Sequence, residues 1–257
     1  MPFTVIIPAR YASTRFPGKP LVDIAGMPLI QHVHARARES GATRVVIATD
    51  DERIASVARA FGAEVVMTSA EHASGTERSA EVVELLRLDA DHVVDNLQGD
   101  EPLMPGDVLH QVADLLVQNG HAVMATVCER IHDPRDVFDP NIVKLVMDAH
   151  GRALYFSRAP IPWARTAFAN EPAVLPAQHP YFRHIGLYAF RAGFLPVYRA
   201  LAPSTLESVE ALEQLRVLHH GHVIAVAEAC APTGFGVDTP ADAERVRELL
   251  ASPPVRG

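Results

Sequence analysis

The sequence predicts an α/β protein, a three-layer α/β/α sandwich built on a mainly parallel sheet. Short β-branched runs alternate with amphipathic stretches of about a dozen residues, which is the pattern of βαβ units. The first run, Phe3-Thr4-Val5-Ile6-Ile7, is apolar without alternation, as expected for a strand covered on both faces. Crossovers between parallel strands are right-handed in nearly all cases, so such units place helices on both sides of one sheet. A smaller region containing a β-hairpin interrupts the pattern in the second half of the chain.

A helix is expected to begin near Pro28, carry Leu29, Ile30, Val33 and Ala37 at helical spacing, and stop near Gly41. Residues 44–49 (RVVIAT) read as a second strand and 51–61 as a helix ended by Gly62. Residues 64–67 follow as a third strand, 77–88 as a helix and 92–97 (HVVDNL) as the next strand. Residues 141–148 and 153–157 read as two strands joined at Ala149-His150-Gly151, a hairpin and not a crossover. The stretch 159–180 carries Pro160, Pro162, Pro172, Pro176 and Pro180 and is expected to form an ordered loop or flap. Residues 184–190 make a strand, 206–219 a helix, and a last helix starts near Pro240.

Bulk properties limit the function classes. With 48% hydrophobic and 21% charged residues among 257, the composition is that of a globular protein. A net charge of −8 argues against a general nucleic-acid or anionic-membrane surface, so affinity for a phosphorylated ligand requires a local cluster of cations. No apolar stretch approaches the roughly 20 residues of a membrane span. The opening residues are too short and uncharged for a signal peptide, and a cytoplasmic location is expected. Cys128 and Cys230 lack Cys-x-x-Cys spacing and are expected to be inert buried thiols.

That cluster of cations occurs directly after the first strand, in PARYASTRFPGKPL (8–21). In parallel sheets ligands bind beyond the carboxyl ends of the strands. Small residues there let backbone N–H groups approach an anion, while Arg10, Arg15 and Lys19 supply positive charge. A triphosphate resists attack until its charge is neutralised, and arginine and lysine both suit that task. The alternative is a solvated loop with ordinary surface cations. No G-x-x-x-x-G-K-[ST] is present, so this is not a P-loop. Two acidic positions complete the picture. Gln98 and Asp100 follow an apolar strand and, if extended, point the same way. Asp238 precedes the last helix and reads either as a helix cap or as a metal ligand. Carboxylates at a strand end suit Mg²⁺, and with the cationic loop they make a constellation consistent with phosphoryl transfer.

Eight ordered motifs carry a family resemblance: IPARYASTRFPGKPL (7–21), ATD (48–50), HASGTER (72–78), NLQGDEP (96–102), ALYFSRAPIPW (153–163), RHIGLYAFRAGF (183–194), LEQLRVL (212–218) and GVDTPADAERV (236–246). In these the chain closely resembles the 3-deoxy-manno-octulosonate (Kdo) cytidylyltransferases, or CMP-Kdo synthetases. The resemblance implies a Rossmann-like sheet of the nucleotide-diphospho-sugar transferase type. It implies transfer of CMP from CTP to Kdo with release of pyrophosphate, activating Kdo for lipopolysaccharide synthesis. An 8-amino analogue of Kdo or another acidic sugar is the alternative acceptor. Mg²⁺ is the implied cofactor and a homodimer the implied assembly, with no nucleic acid or membrane partner.

The implied site is specific. Arg10, Lys19 and Asp100 would be catalytic, and Asp100 and Asp238 would bind the metal. Pro8, Ala9, Arg10, Ser13, Arg15, Lys19, Asp50, Ser74, Gly75 and Arg78 would bind the nucleotide, with Ser74 and Arg78 at the cytosine or ribose end. Gln98, Arg158, His184, Tyr188, Glu213 and Gln214 would shape the sugar pocket, with Arg158 as a cation for the sugar carboxylate. Glu210, Glu213 and Gln214 are expected on one helical stripe. The resemblance assigns residues 1–130 plus 220–250 to a nucleotide-binding core and about 135–215 to a sugar-binding and dimerisation subregion of one domain, 1–257. The segment 177–181 departs from the family pattern, so flap contacts are not carried over.

Overall fold

The computed structural model describes residues 2–12, 16–169, 174–176 and 179–251. The first strand, β1 (Phe3–Ala9), is buried along its whole length. Its side chains alternate between two cores. Phe3, Val5 and Ile7 pack on one face of the sheet and Ile6 on the other. A strand covered on both faces cannot alternate apolar with polar, and this is why its sequence does not.

After β1 come the short strands β2 (Asp23–Ile24) and β3 (Met27–Pro28), then α1 (Leu29–Glu39), β4 (Arg44–Thr49), α2 (Glu52–Ala60), β5 (Glu64–Met67) and α3 (Gly75–Leu86). The chain continues through β6 (Val93–Asn96), α4 (Gly106–Gln118), β7 (Ala122–Ile131), α5 (Pro134–Phe138), β8 (Lys144–Met147), β9 (Ala153–Ser157) and β10 (Tyr181–Arg191). It closes with α6 (Phe194–Ala200), α7 (Thr205–Glu210), α8 (Gln214–His219), β11 (Val223–Glu228) and α9 (Pro240–Ala251). Side chains of α1, α2 and α4, among them Val33, Ile54 and Val112, fill one core. Those of α3, α6 and α8, among them Val83, Leu195 and Leu215, fill the other. Helix, sheet and helix thus form the three expected layers.

The main sheet runs β11-β7-β10-β6-β1-β4-β5, with the β8–β9 hairpin attached to β10. Strands β6, β1, β4 and β5 are mutually parallel, as are β11 and β7. Strand β10 is antiparallel to both its neighbours, β6 and β7. Running antiparallel, with Tyr188 opposite Asn96 and Arg191 opposite Val93, it enters the sheet from the carboxyl edge of β6. Its first residues therefore project beyond that edge, where ligands bind in such sheets.

Three expectations are corrected. Segment 206–219 is two helices, broken at Ala211 with φ 51°. Ser204 and Glu207 form a capping box on α7, and the turn after it redirects the chain. Glu210 therefore shares no helical stripe with Glu213 and Gln214. Residues 141–143 precede the hairpin strand and do not belong to it. Cys128 is buried and its thiol is pushed up to about 12 by desolvation, but Cys230 is exposed. Helix α4 and strand β7, which the sequence reading left unassigned, complete the layers. Among the described residues no helix is long and apolar enough to cross a membrane.

Candidate functional site

A cavity of about 420 Å³ lies at the carboxyl ends of β1 and β6. It is lined by Pro8, Ala9, Arg10, Ala12, Lys19, Pro20, Gly75, Gln98, Gly99, Asp100 and Asp238. Eight of the predicted site residues meet here: Pro8, Ala9, Arg10, Lys19, Gly75, Gln98, Asp100 and Asp238. Ser13 and Arg15 lie outside the described residues. Ala12, Pro20 and Gly99 were not predicted. Gly99 is required by close approach, since a Cβ there would stand 2.7 Å from the carbonyl oxygen of Pro8. That contact seats the end of β6 against the end of β1, and its signal in the sequence is the glycine between Gln98 and Asp100.

Lys19 begins a short 3-10 turn after Gly18, which sits at φ 71°. Its ammonium donates to Asp100 Oδ2 at 2.5 Å and to Asp238 Oδ1 at 3.2 Å. Lys19 thus draws in one aspartate from 81 positions away and another from 219 positions away. Asp238 is not a helix cap: Thr239 Oγ1 accepts from the Asp242 amide, while Asp242 Oδ2 accepts from the amides of Asp238 and Thr239. The Val237 amide donates to the Asp100 carbonyl at 2.8 Å, fixing the two acidic segments side by side. Beside them Glu101 was missed by the sequence reading. Burial, then Asp100 and Asp238, raise its carboxyl to about 7. A third negative charge against two existing ones is disfavoured.

Three nucleotide-binding candidates do not line the cavity. Ser74 is the N-cap of α3, its Oγ accepting from the Glu77 amide at 3.2 Å. Arg78 is fully buried, 2.9 Å from Asp50 and hydrogen-bonded to Thr68 Oγ1. Desolvation lowers the Arg78 pKa, against the attraction of Asp50. In this arrangement Asp50 and Arg78 tie the carboxyl end of β4 to α3, behind the cavity wall.

A second cavity, about 390 Å³, is lined by Asn141, Ile142, Val143, Arg183, His184, Gly186, Tyr188, Ala211, Leu212, Glu213 and Gln214. It contains four predicted sugar-pocket residues, His184, Tyr188, Glu213 and Gln214. A bulge in β10 between Ile185 and Tyr188 shapes its floor. Half-buried His184 contacts Thr126 Oγ1 through Nε2 at 3.1 Å, and desolvation pushes its pKa down to about 3, so the imidazole is neutral. Glu213 is half-buried; desolvation raises its pKa, and it accepts from Thr76 Oγ1 at 3.1 Å. This bond joins the start of α3, next to Gly75 of the first cavity, to the wall of the second. Gln214 Nε2 is buried without a hydrogen-bond partner, as a donor awaiting a ligand would be. Arg158 does not line this cavity. Its guanidinium donates to the carbonyls of Glu210 at 2.7 Å and Pro140 at 2.9 Å. The cation on the wall is Arg183, paired with Glu129.

An ammonium and a guanidinium facing two aspartates at the carboxyl edge of a three-layer sheet define a nucleotidyltransferase. The family model for cytidylyltransferases matches residues 4–224. Similar proteins named 3-deoxy-manno-octulosonate cytidylyltransferase include that of Marinobacter nauticus, 56% identical with both chains fully covered. That of Cellvibrio japonicus is 58% identical, covering 97% of this chain and 98% of its own. The solved structure of a CMP:2-keto-3-deoxy-manno-octonic acid synthetase complexed with CTP superposes with a TM-score of 0.88 at 41% identity, covering 98% of this chain and 99% of that one. A cytidylyltransferase from Leptospira borgpetersenii, 16% identical with a TM-score of 0.62, shares the fold. The chain belongs to the cytidylyltransferase family and, within it, to the 3-deoxy-manno-octulosonate cytidylyltransferases.

Proposed function

We infer that this chain transfers CMP from CTP to Kdo, with pyrophosphate as the leaving group. The observation that carries the reading is the Lys19 ammonium set between Asp100 and Asp238 on the wall of the first cavity. The triphosphate would lie along Pro8, Ala9 and Arg10, its charge balanced by Arg10 and Lys19. Kdo would occupy the second cavity, with Glu213, Gln214 and neutral His184 meeting its hydroxyls. The anomeric hydroxyl would attack the α-phosphorus in line, giving up its proton to solvent water as the bond to pyrophosphate breaks. As the nucleotide enters, Lys19 would exchange its carboxylate partners for phosphate oxygens. The geometry behind that exchange is its low exposure, 13% of the side chain, beside an open cavity.

The acidic pair fits Mg²⁺. Both side chains offer oxygen donors that already converge on one positive centre at 2.5 and 3.2 Å. Among the described residues no group of three or more His, Cys, Asp and Glu side chains forms a ready-made cage. Mg²⁺ suits such a site because it takes one or two carboxylates and completes its shell with water and phosphate. Bound by Asp100 and Asp238, it would neutralise triphosphate charge and lower the pKa of the attacking hydroxyl.

In this reading residues 1–130 plus 220–250 form the nucleotide-binding core and about 135–215 the sugar subregion. Activity in the cytoplasm and a homodimer follow from the same resemblance. Exposed Leu154, Trp163 and Val209, at 61%, 59% and 79%, are apolar surface that a dimer would cover. Purified protein incubated with CTP and Mg²⁺ should release pyrophosphate on addition of Kdo. An 8-amino analogue run in parallel tests acceptor choice. Absence of pyrophosphate with every acidic sugar would overturn the reading, and light scattering at assay concentration reads the assembly.

A further inference from the structure

Lys144 is fully buried at the start of β8, yet it belongs to neither cavity lining. Its ammonium donates to three backbone carbonyls: Asp139 at 2.8 Å, Ile142 at 2.6 Å and Arg158 at 2.7 Å. A lysine ammonium has three donors, so each N–H has one partner. Two of the carbonyls come from the loop 139–143, and the third from the residue after β9. Asn141, Ile142 and Val143 of that loop form one wall of the second cavity. The Val143 carbonyl in turn accepts from the amide of His184, another lining residue, at 2.8 Å. The same corner holds Arg158, whose guanidinium spans the carbonyls of Pro140 and Glu210.

Burial of an ammonium is unfavourable unless all its donors are met, and desolvation lowers the pKa of Lys144 accordingly. An apolar residue of similar length would fill the same space without that penalty. It would also take one donor from each of three carbonyls, of which that of Asp139 keeps the Ile142 amide at 3.2 Å, and would leave the loop without its tie to β9. The charge therefore serves the geometry of the loop.

We propose that Lys144 is a positioning residue for the acceptor sugar, a clamp from beneath that ties the loop 139–143, one wall of the sugar cavity, to the Arg158 backbone at the end of β9. The proposal rests on the functional reading above. It assigns the residue no contact with substrate or with the reacting atoms. Its signature is thus selective: the sugar loses affinity, while the nucleotide site, on the other side of Glu213 and Gly75, keeps its own.

The test is steady-state kinetics of Lys144→Met with each substrate varied separately. The KM for the acidic sugar should rise about tenfold or more, the equivalent of losing one hydrogen bond to a charged group. The KM for CTP should stay within about twofold, a difference too small to represent a lost contact. A sugar KM equal to that of the wild type would overturn the proposal, as would equal rises for both substrates. Asp139→Ala provides a second arm should Lys144→Met fail to fold. The Asp139 carboxylate is outside both linings and holds the same loop by accepting from the amide and side chain of Asn141. Its loss should raise the sugar KM with CTP unchanged, and a wild-type sugar KM there would also refute the clamp. Wild-type protein run alongside judges the functional reading by itself. If it releases no pyrophosphate, the same variants are compared by equilibrium binding of the sugar acid, where weaker binding supports the clamp and equal binding sinks it.

Discussion

Asp95 lies in the middle of β6, paired in register with Val5 of β1 and Ala189 of β10. It is fully buried, and neither carboxyl oxygen has a hydrogen-bond partner. Desolvation raises its pKa well above the ordinary 3.8. The folded protein therefore keeps a proton that the unfolded chain releases once the pH passes the ordinary value. Stability from this group is fully present below that pH and is lost as the pH rises towards the folded pKa. The slope is about 1.4 kcal/mol per pH unit. Asp95→Asn keeps the shape and removes the titration, so its stability relative to the wild type should grow by about 1.4 kcal/mol between pH 5 and pH 6. Asp95→Val also removes the unmet polar group, which adds about 1–3 kcal/mol independent of pH. Urea unfolding of the three proteins at half-unit pH steps gives both quantities, because other titrating groups cancel in the differences. A pH-independent gap between Asp95→Asn and wild type would refute the buried neutral carboxyl. A destabilised Asp95→Val would show that the oxygens have a partner after all.

Lys19→Ala and Asp100→Ala should each reduce pyrophosphate release on the order of 10²–10³ while leaving the melting transition cooperative, since both act on charge in the transition state. Wild-type turnover in either variant would contradict the assigned roles. Gly99→Ala places a Cβ 2.7 Å from the Pro8 carbonyl oxygen and should destabilise by about 1–3 kcal/mol, read from urea midpoints; an unchanged midpoint would show that the β1 and β6 ends are free to part. His184, held near 3 by burial, should show imidazole proton shifts in NMR that do not titrate between pH 5 and pH 8, and titration near the ordinary 6.5 would place it in water. The sign for stability is the reverse of Asp95: the folded state excludes the proton, so stability is full above pH 6.5 and falls as the pH drops towards 3.

Much of the cavity chemistry was legible because it is local. The cationic stretch after β1 and the acidic turn after β6 each follow an apolar strand, and in parallel sheets a strand's carboxyl end is where ligands meet. Strands 44–49 and 64–67 read correctly because both are short β-branched runs bounded by turns. Helix α4 and strand β7 went unassigned, although Val108, Leu109, Val112 and Leu116 have helical spacing. The break at Ala211 was hidden because a residue at φ 51° has no mark in a sequence that otherwise favours helix.

By itself the sequence determined which chemical groups this protein brings to its ligand edge, and that the edge belongs to a layered α/β sheet. Tertiary structure decided which of them face a cavity. It turned Arg78 inward onto Asp50 and spent the guanidinium of Arg158 on two carbonyls. It also set Asp238 against Lys19 across 219 positions of chain. The reason is physical: side-chain type and spacing act over a few residues, whereas the partner that satisfies a buried charge is chosen by the closure of the sheet and the packing of both cores around it.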